Sequence, residues 1–256
     1  MWHHALALAI LFLNVNAASL RQPIHKIVGG IAVNIEDFPH QVSIIYNNTH
    51  ICGGSIISDK FILSAAHCYI YIGPTNNFQV RVGSTNSTAG GTLYTVKDIH
   101  AHTSYNETTY DYDFSIFELN DTIALDNVTS RVVRLTEINE YLPNGSNLTI
   151  SGWGETRNPT ESKEHLRAVS VPKMEQLECI ASYLFSNIIT DRMFCAGYRQ
   201  GQKDACKADS GGPVLNDNNV QVGVVSWGLD CAQARYPGVY GRISSVRQWI
   251  REITNV

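Results

Sequence analysis

The stretch Asp204-Ala205-Cys206-Lys207-Ala208-Asp209-Ser210-Gly211-Gly212-Pro213 decides the fold of this chain. Far upstream lies Ala65-Ala66-His67-Cys68, and Asp113 falls between the two motifs. A serine hydroxyl becomes an effective nucleophile when a histidine accepts its proton and a carboxylate fixes the tautomer of that histidine. We therefore predict a catalytic triad in which Ser210 is the nucleophile, His67 the general base and Asp113 the residue that orients His67.

The order of these residues along the chain excludes two other triad architectures. The α/β-hydrolases run Ser, Asp, His, and the subtilisins run Asp, His, Ser. Further motifs accompany the order His, Asp, Ser. They are Ile27-Val28-Gly29-Gly30, Asp113-Phe114-Ser115-Ile116, Ser151-Gly152-Trp153-Gly154 and Ser226-Trp227-Gly228. Together these motifs resemble the trypsin-like serine peptidases of the chymotrypsin fold, and the resemblance covers Ile27 to Val256.

Short apolar or alternating runs separated by turn residues predict an all-β fold. The runs are Gln41 to Tyr46, Phe61 to Ala65, Gln79 to Val82, Leu93 to Ile99, Phe114 to Leu119, Leu148 to Ser151, Val220 to Trp227 and Gly238 to Ile243. The resemblance implies two six-stranded antiparallel β-barrels, the first over about 27–134 and the second over about 135–256, with the site in the cleft between them. We expect the linker near Thr129 to Glu140.

The C-terminal segment predicts an amphipathic α-helix. Its apolar residues Val246, Trp249, Ile250 and Ile253 follow i, i+3, i+4, i+7 spacing. Ser244-Ser245 precedes them and predicts a serine cap.

The N-terminus predicts a secreted, extracellular protein. Its apolar run from Ala5 to Leu13 is too short to span a bilayer, and small residues follow it before the first charge at Arg21. We predict a signal peptide over 1–18, a propeptide over 19–26 and a peptidase domain over 27–256.

The six cysteines form an even set that suits an oxidising compartment. Six cysteines allow 15 pairings, and composition does not choose among them. The resemblance implies Cys52 with Cys68, Cys179 with Cys195, and Cys206 with Cys231. None of them lies in a Cys-x-x-Cys pair, which disfavours a zinc site.

Asn-x-Ser/Thr sequons predict exposed turns that can carry glycan in a secreted chain. They begin at Asn47, Asn86, Asn106, Asn120, Asn127, Asn144 and Asn147. Any single sequon can equally remain unmodified. The net charge of −4 and the lack of a basic run disfavour nucleic acid and anionic membranes as partners.

The resemblance places Asp204 at the floor of a substrate pocket, where a carboxylate attracts a cationic side chain. Gly228 and Gly238 match the glycines of the pocket wall, Trp227 lies beside them, and Ser226 resembles a serine that supports the buried aspartate of the triad. Ala205 stands where family members often have a serine that helps bind an ammonium group. Arginine depends less on this serine because its planar guanidinium group can bind a carboxylate with two parallel hydrogen bonds. We therefore expect cleavage after Arg to be faster than after Lys.

Ala208 departs from the family pattern, which has a glycine here. The resemblance implies that the backbone N–H groups of Ala208 and Ser210 form the oxyanion hole. The Cβ of an alanine costs about 1 to 2 kcal/mol if the backbone is left-handed at this position. An alternative hypothesis is therefore a catalytically impaired homologue that acts as a binding or regulatory module. An unrelated disulfide-rich scaffold would leave the triad unexplained.

The resemblance also implies activation by cleavage between Lys26 and Ile27. The new α-amino group of Ile27 would pair with Asp209, and His50 resembles a histidine that holds this aspartate in the precursor. Implied partners are protein or peptide substrates with Arg or Lys, protein protease inhibitors and an activating peptidase, and we expect a monomer.

We expect no metal and no cofactor. The pair His100 and His102 lacks an identifiable third ligand, and His102 lies where the family often has a structural histidine. The segment Ser84 to Thr88 lacks the carboxylates that calcium prefers.

Overall fold

The computed structural model describes residues 29–70, 72–155, 160–206 and 208–256. The predicted signal peptide, the propeptide and the Lys26–Ile27 junction lie outside these residues. In chain order the strands are β1 Ile31–Ala32, β2 Gln41–Tyr46, β3 Thr49–Ile56, β4 Phe61–Ser64, β5 Phe78–Val82, β6 Thr92–Ala101, β7 Ser115–Leu119, β8 Arg134–Leu135, β9 Asn147–Gly152, β10 Arg167–Pro172, β11 Met193–Ala196, β12 Pro213–Asn216, β13 Val220–Trp227 and β14 Gly238–Arg242. The α-helices are α1 Gln176–Tyr183 and α2 Arg247–Thr254.

The first lobe is a closed antiparallel barrel in the order β2-β3-β4-β7-β6-β5. Asn47 and Asn48 join β2 to β3 with φ angles of 48° and 63°, the left-handed conformations that a tight two-residue hairpin requires. Along β5 the side chains of Phe78, Val80 and Val82 alternate into the interior. The Phe78 ring packs edge-on against Phe117 with the centroids 5.8 Å apart.

The second lobe arranges six longer strands in the order β10-β9-β12-β13-β14-β11. The N–H of Gly197 donates to the carbonyl of Pro172 at 3.0 Å, and the N–H of Met174 donates to that of Cys195 at 2.9 Å. These bonds join the ends of β10 and β11 and close the second barrel. The two-residue strands β1 and β8 add to its outside through β10 and β13. The all-β prediction with two antiparallel barrels and a C-terminal helix is confirmed.

All eight predicted runs are strands in the structure, with ends that shift by a few residues. Six strands, β1, β3, β8, β10, β11 and β12, and helix α1 were not among the predictions. The serine cap is wrong: Val246 is the N-cap residue of α2 and makes no side-chain cap bond. Ser244 and Ser245 belong to a preceding 3-10 turn, and the Ser245 hydroxyl donates to the carbonyl of Arg242 at 2.6 Å.

The disulfides join Cys52 to Cys68, Cys179 to Cys195, and Cys206 to Cys231. This is the pairing that the resemblance implies. None of the helices in the described ranges is long and apolar enough to cross a membrane.

The two barrels meet through buried polar contacts. The Ser151 hydroxyl of the second lobe donates to Oε1 of Gln41 in the first, at 2.7 Å. Strand β3 approaches the predicted nucleophile directly, because the Gly53 N–H donates to the carbonyl of Ser210 at 2.8 Å. A Cβ at Gly53 would lie 3.0 Å from the Cα of Gly212, so this close approach favours glycine.

Candidate active site

His67 lies in a 3-10 turn over Ala66–Cys68, directly after β4. Its backbone N–H donates to Oδ1 of Asp113 at 3.0 Å, and its ring Nδ1 lies 2.7 Å from Oδ2 of the same carboxylate. The neighbouring Cys68 is tied to Cys52 on strand β3. One carboxylate therefore fixes both the backbone and the ring of the predicted general base.

Asp113 is 1 % exposed and lies just before β7. The hydroxyl of Ser226, at the end of β13, donates to Asp113 Oδ2 at 2.6 Å. Burial by itself would lower the pKa of His67, but the charge and the hydrogen bond of Asp113 outweigh burial and raise it. The arrangement therefore favours a proton on His67, as a general base requires after it accepts one.

Ser210 and His67 line one cavity of about 370 Å³ that also reaches Asp204. Among the described residues no hydrogen bond joins the Ser210 hydroxyl to the His67 ring. Such bonds commonly tighten only when substrate is bound.

Asp204 lines this cavity and is 4 % exposed. Its Oδ2 accepts from the N–H of Ala232 at 3.0 Å, and its Oδ1 accepts from the Tyr240 hydroxyl at 3.3 Å. Burial outweighs these hydrogen bonds and raises the pKa of Asp204 to about 7. A cation that enters the cavity would stabilise the charged carboxylate.

The walls of the cavity include the predicted residues Ala205, Trp227, Gly228 and Gly238. A Cβ at Gly238 would collide with Oδ1 of Asp204, so glycine keeps the carboxylate accessible. At Gly228 a Cβ would meet its nearest atom at 3.7 Å, an ordinary contact.

Two tyrosines of this site were missed by the sequence analysis. Tyr240 lies two positions after Gly238 in β14, and the period of two in a strand places both on the same side. Tyr110 packs edge-on against the His67 ring at 5.8 Å between centroids. Tyr110 lies three residues before Asp113 in the sequence, and this closeness could have identified it as a residue of the site.

The backbone from Tyr110 to Asp113 carries strain. Tyr110 and Tyr112 have φ angles of 59° and 55°, in the left-handed region that costs a residue with a Cβ about 1 to 2 kcal/mol. Backbone conformations of this kind persist where the surroundings hold them.

Ala208 also has a left-handed backbone, with a φ of 70°. Its carbonyl lies 3.2 Å from Nε2 of His50, whose Nδ1 lies 2.7 Å from the Ser43 hydroxyl. The alanine thus adopts the conformation that favours glycine, at a cost of about 1 to 2 kcal/mol.

Asp209 is completely buried. Its Oδ1 accepts from the N–H of Gly154 at 2.7 Å and its Oδ2 from that of Cys206 at 2.9 Å. Burial raises the pKa of Asp209 to about 7. In the precursor we expect His50 to contact Asp209. In this structure the Nε2 of His50 instead contacts the carbonyl of Ala208.

His102, which was expected to be structural, and the nearby His100 both have protein partners. The His102 ring stacks on Tyr112 at 4.4 Å, and His100 Nε2 lies 3.6 Å from Glu118. One group with metal-ligand atoms in the described ranges comprises Cys52, His67 and Cys68. Its two sulfurs form a disulfide and offer no thiolate.

Two antiparallel barrels that bring a serine and a histidine to one cavity, with a buried aspartate bound to that histidine, are the arrangement of a serine endopeptidase. The family model for trypsin matches residues 27–250. Trypsin 5G1 of Aedes aegypti is 46% identical over 232 residues, which cover 90% of this chain and 86% of that protein. A trypsin of Phaedon cochleariae is 39% identical over the full length of both chains, and a vitellin-degrading protease of Bombyx mori is 36% identical over 99% of this chain and 96% of its own. The chain belongs to the trypsin family of serine endopeptidases.

Proposed function

We propose that this protein is a secreted, zymogen-activated endopeptidase that hydrolyses peptide bonds after Arg, and less readily after Lys, through an acyl-enzyme. The observation that carries the proposal is the cavity that His67 and Ser210 share with the buried carboxylate of Asp204. The catalytic groups and a site for a cationic side chain therefore open to the same space.

The proposed reaction has two steps. In the first, Ser210 Oγ attacks the scissile carbonyl while His67 Nε2 accepts its proton, and the same proton then passes to the leaving amine. In the second, water attacks the acyl-enzyme while His67 accepts a proton from that water, and His67 then passes this proton to Ser210 Oγ as the bond between the acyl group and Ser210 breaks. Asp113 stabilises the imidazolium formed in each step, and its hydrogen bonds with His67 and Ser226 support this role.

The proposed specificity rests on Asp204 and its neighbours. A guanidinium can span both oxygens of a carboxylate, whereas an ammonium binds as a compact charge. Ala205 offers no hydroxyl to complete the ligation of an ammonium. The preference for Arg over Lys follows from this difference. The lack of a side chain at Gly238, where a Cβ would collide with Oδ1 of Asp204, supports entry of a long side chain.

The N–H groups of Ala208 and Ser210 are the proposed donors to the oxyanion. Alanine keeps the N–H of the glycine that it replaces, and its φ of 70° supports a glycine-like backbone. These points favour an active enzyme over the impaired binding module.

Activation is proposed to follow cleavage after Lys26, which frees the α-amino group of Ile27. The buried carboxylate of Asp209, with its pKa raised to about 7, supports this assignment because an ammonium beside it would stabilise the ionised form. A strong preference for Arg makes Lys26 a poor substrate for the enzyme itself, so a separate activating peptidase is part of the proposal.

Secretion and glycosylation complete the proposal. The sequon residues Asn47, Asn106, Asn120, Asn127, Asn144 and Asn147 are exposed and Asn86 is half-buried. As a member of its family the protein acts on protein substrates and meets protein inhibitors, and we propose that it does so as a monomer.

The test uses precursor cut after Lys26 with a matched pair of Arg and Lys peptide substrates. We expect an acylation burst, steady turnover and a higher kcat/KM for the Arg peptide. A Ser210→Ala variant is the inactive control. Equal kcat/KM values for the Arg and Lys peptides would contradict the preference for Arg that we infer from Ala205. No burst and no labelling by a serine-directed phosphonate would favour the binding module.

A further inference from the structure

The segment Tyr110-Asp111-Tyr112 directly precedes Asp113, and its two tyrosines have left-handed backbone conformations. Tyr110 and Tyr112 have positive φ angles, and Asp111 lies between them. Bulky side chains rarely adopt such angles unless other contacts over-determine them. The contacts of Asp111 are therefore candidates for what holds this segment.

The Asp111 carboxylate is bound from the second lobe. Arg192 donates from Nε to Oδ1 at 2.9 Å and from Nη2 to Oδ2 at 2.6 Å. The Thr190 hydroxyl also donates to Oδ1, at 2.8 Å. Burial alone would raise the pKa of Asp111, but the hydrogen bonds of Arg192 and Thr190 outweigh it and lower that pKa. This is a two-pronged, charge-assisted contact, which fixes orientation as well as distance.

Arg192 is itself anchored. It directly precedes β11, and its carbonyl accepts from the N–H of Arg242 at the end of β14, at 2.7 Å. Nearby, the amide of Asn187 donates to the carbonyl of Thr108 at 3.4 Å. The ion pair therefore connects the loop before Asp113 in the first lobe to the rigid sheet of the second.

The same guanidinium also contacts the adjoining aromatic ring. Its Cζ lies 4.8 Å from the centroid of Tyr112, whose ring stacks on His102. On the other side of Asp111, the Tyr110 ring contacts His67. A shift of Asp111 would thus be transmitted to Tyr110, which contacts His67, and to Tyr112, which directly precedes Asp113.

We propose that Arg192 is a positioning residue: by clamping Asp111 it holds Asp113 at hydrogen-bonding distance from His67 and makes triad geometry depend on the docking of the two lobes. The inference rests on the triad of the proposed function. A purely structural ion pair would stabilise the fold without affecting the chemical step.

The experiment compares Arg192→Met, Arg192→Lys and Thr190→Val in the activated enzyme with a small single-arginine ester. For Arg192→Met we expect kcat to fall about 10-fold, since small displacements of reacting groups are costly. KM should change less than about twofold, because the side-chain oxygens of Asp204 are held by Ala232 and Tyr240 and not by Asp111 or Arg192. Arg192→Lys should restore part of kcat, because it keeps the charge without the planar fork, and Thr190→Val should lose less than Arg192→Met.

The matched control is Arg251→Met, which removes an exposed arginine that pairs with Glu137 at 3.1 Å. It should leave kcat unchanged. A double variant with Asp111→Asn and Arg192→Met should be no slower than the slower single variant, because both changes remove the same contact. Losses that multiply in the double variant, or an unchanged kcat with a lowered Tm in Arg192→Met, would overturn the proposal.

A second measurement separates this inference from the proposed function, because it needs no turnover. We expect the proton between His67 Nδ1 and Asp113 Oδ2, which lie 2.7 Å apart, to resonate far downfield in NMR at a shift that depends on the length of the hydrogen bond. We expect Arg192→Met to shift or broaden this resonance and Arg251→Met to leave it in place. An identical resonance in all forms would refute positioning by Arg192 even if the protein hydrolysed nothing.

Discussion

Ser226 donates its hydroxyl hydrogen to Oδ2 of Asp113 across 2.6 Å, although 113 positions separate the two residues in the chain. The same oxygen lies 2.7 Å from His67 Nδ1. One carboxylate oxygen thus joins a residue of the second barrel to the proposed general base of the first.

Ser226→Ala should lower kcat about 10-fold with KM little changed, because a hydrogen bond to a charged group contributes about 1.5 to 3 kcal/mol. Steady-state kinetics with an Arg peptide measures this. Ser170→Ala, which removes an exposed hydroxyl 3.2 Å from Thr149 Oγ1, is the matched control. Equal kcat values for the two variants would contradict a role of Ser226 in catalysis.

Binding of an aromatic amidine should weaken as the pH falls below about 7. Burial raises the pKa of Asp204 to about 7, so the carboxyl becomes neutral below that pH and no longer attracts a cation. The dissociation constant should then rise about tenfold per pH unit, measured by calorimetry from pH 8 to pH 5.

Asp204→Asn is the control for this titration, since it keeps His67 intact. It should bind the amidine weakly at pH 8 and show no further loss at pH 5. If the variant retained the full pH dependence, another group would be responsible.

Ala208→Gly should keep kcat within a factor of about three, because alanine already holds the left-handed backbone. Ala208→Val should lower kcat about 100-fold, since a β-branched residue strongly disfavours a φ near 70° and an oxyanion donor is lost with it. Burst kinetics measures both. A 100-fold gain in Ala208→Gly would instead identify the native chain as the impaired module.

Cleavage after Lys26 should raise Tm at pH 8 and have less effect near pH 4. With its pKa raised to about 7, Asp209 contributes stability that is fully present below its unfolded pKa near 4 and lost as pH rises to about 7. For the uncut chain this loss amounts to about 4 kcal/mol, and an ammonium from Ile27 would offset it.

Calorimetry of cut and uncut protein across this pH range provides the measurement. Asp204 contributes equally to both forms and cancels in the difference. In Asp209→Asn the two forms should have the same Tm at every pH, and a difference that persisted there would show another origin.

The sequence predicted His67, Asp113, Ser210 and Asp204 because each lies in a local motif. Strand β3 was missed because Cys52, Gly53 and Gly54 interrupt its apolar pattern. Of these, Gly53 is needed where β3 approaches the second barrel. The contact of Asp111 with Arg192 joins residues 81 positions apart. No local pattern marks it, since it depends on how the barrels dock.

The Cys206–Cys231 bridge has a consequence for where this protein can work. It ties the segment that carries Asp204 to the one that carries Ala232, whose N–H supports that carboxylate. Both barrels have hydrogen-bonded frameworks of their own, so reduction of this bridge would loosen the proposed binding pocket while those frameworks remain. We therefore expect a reducing compartment to weaken the proposed substrate selection.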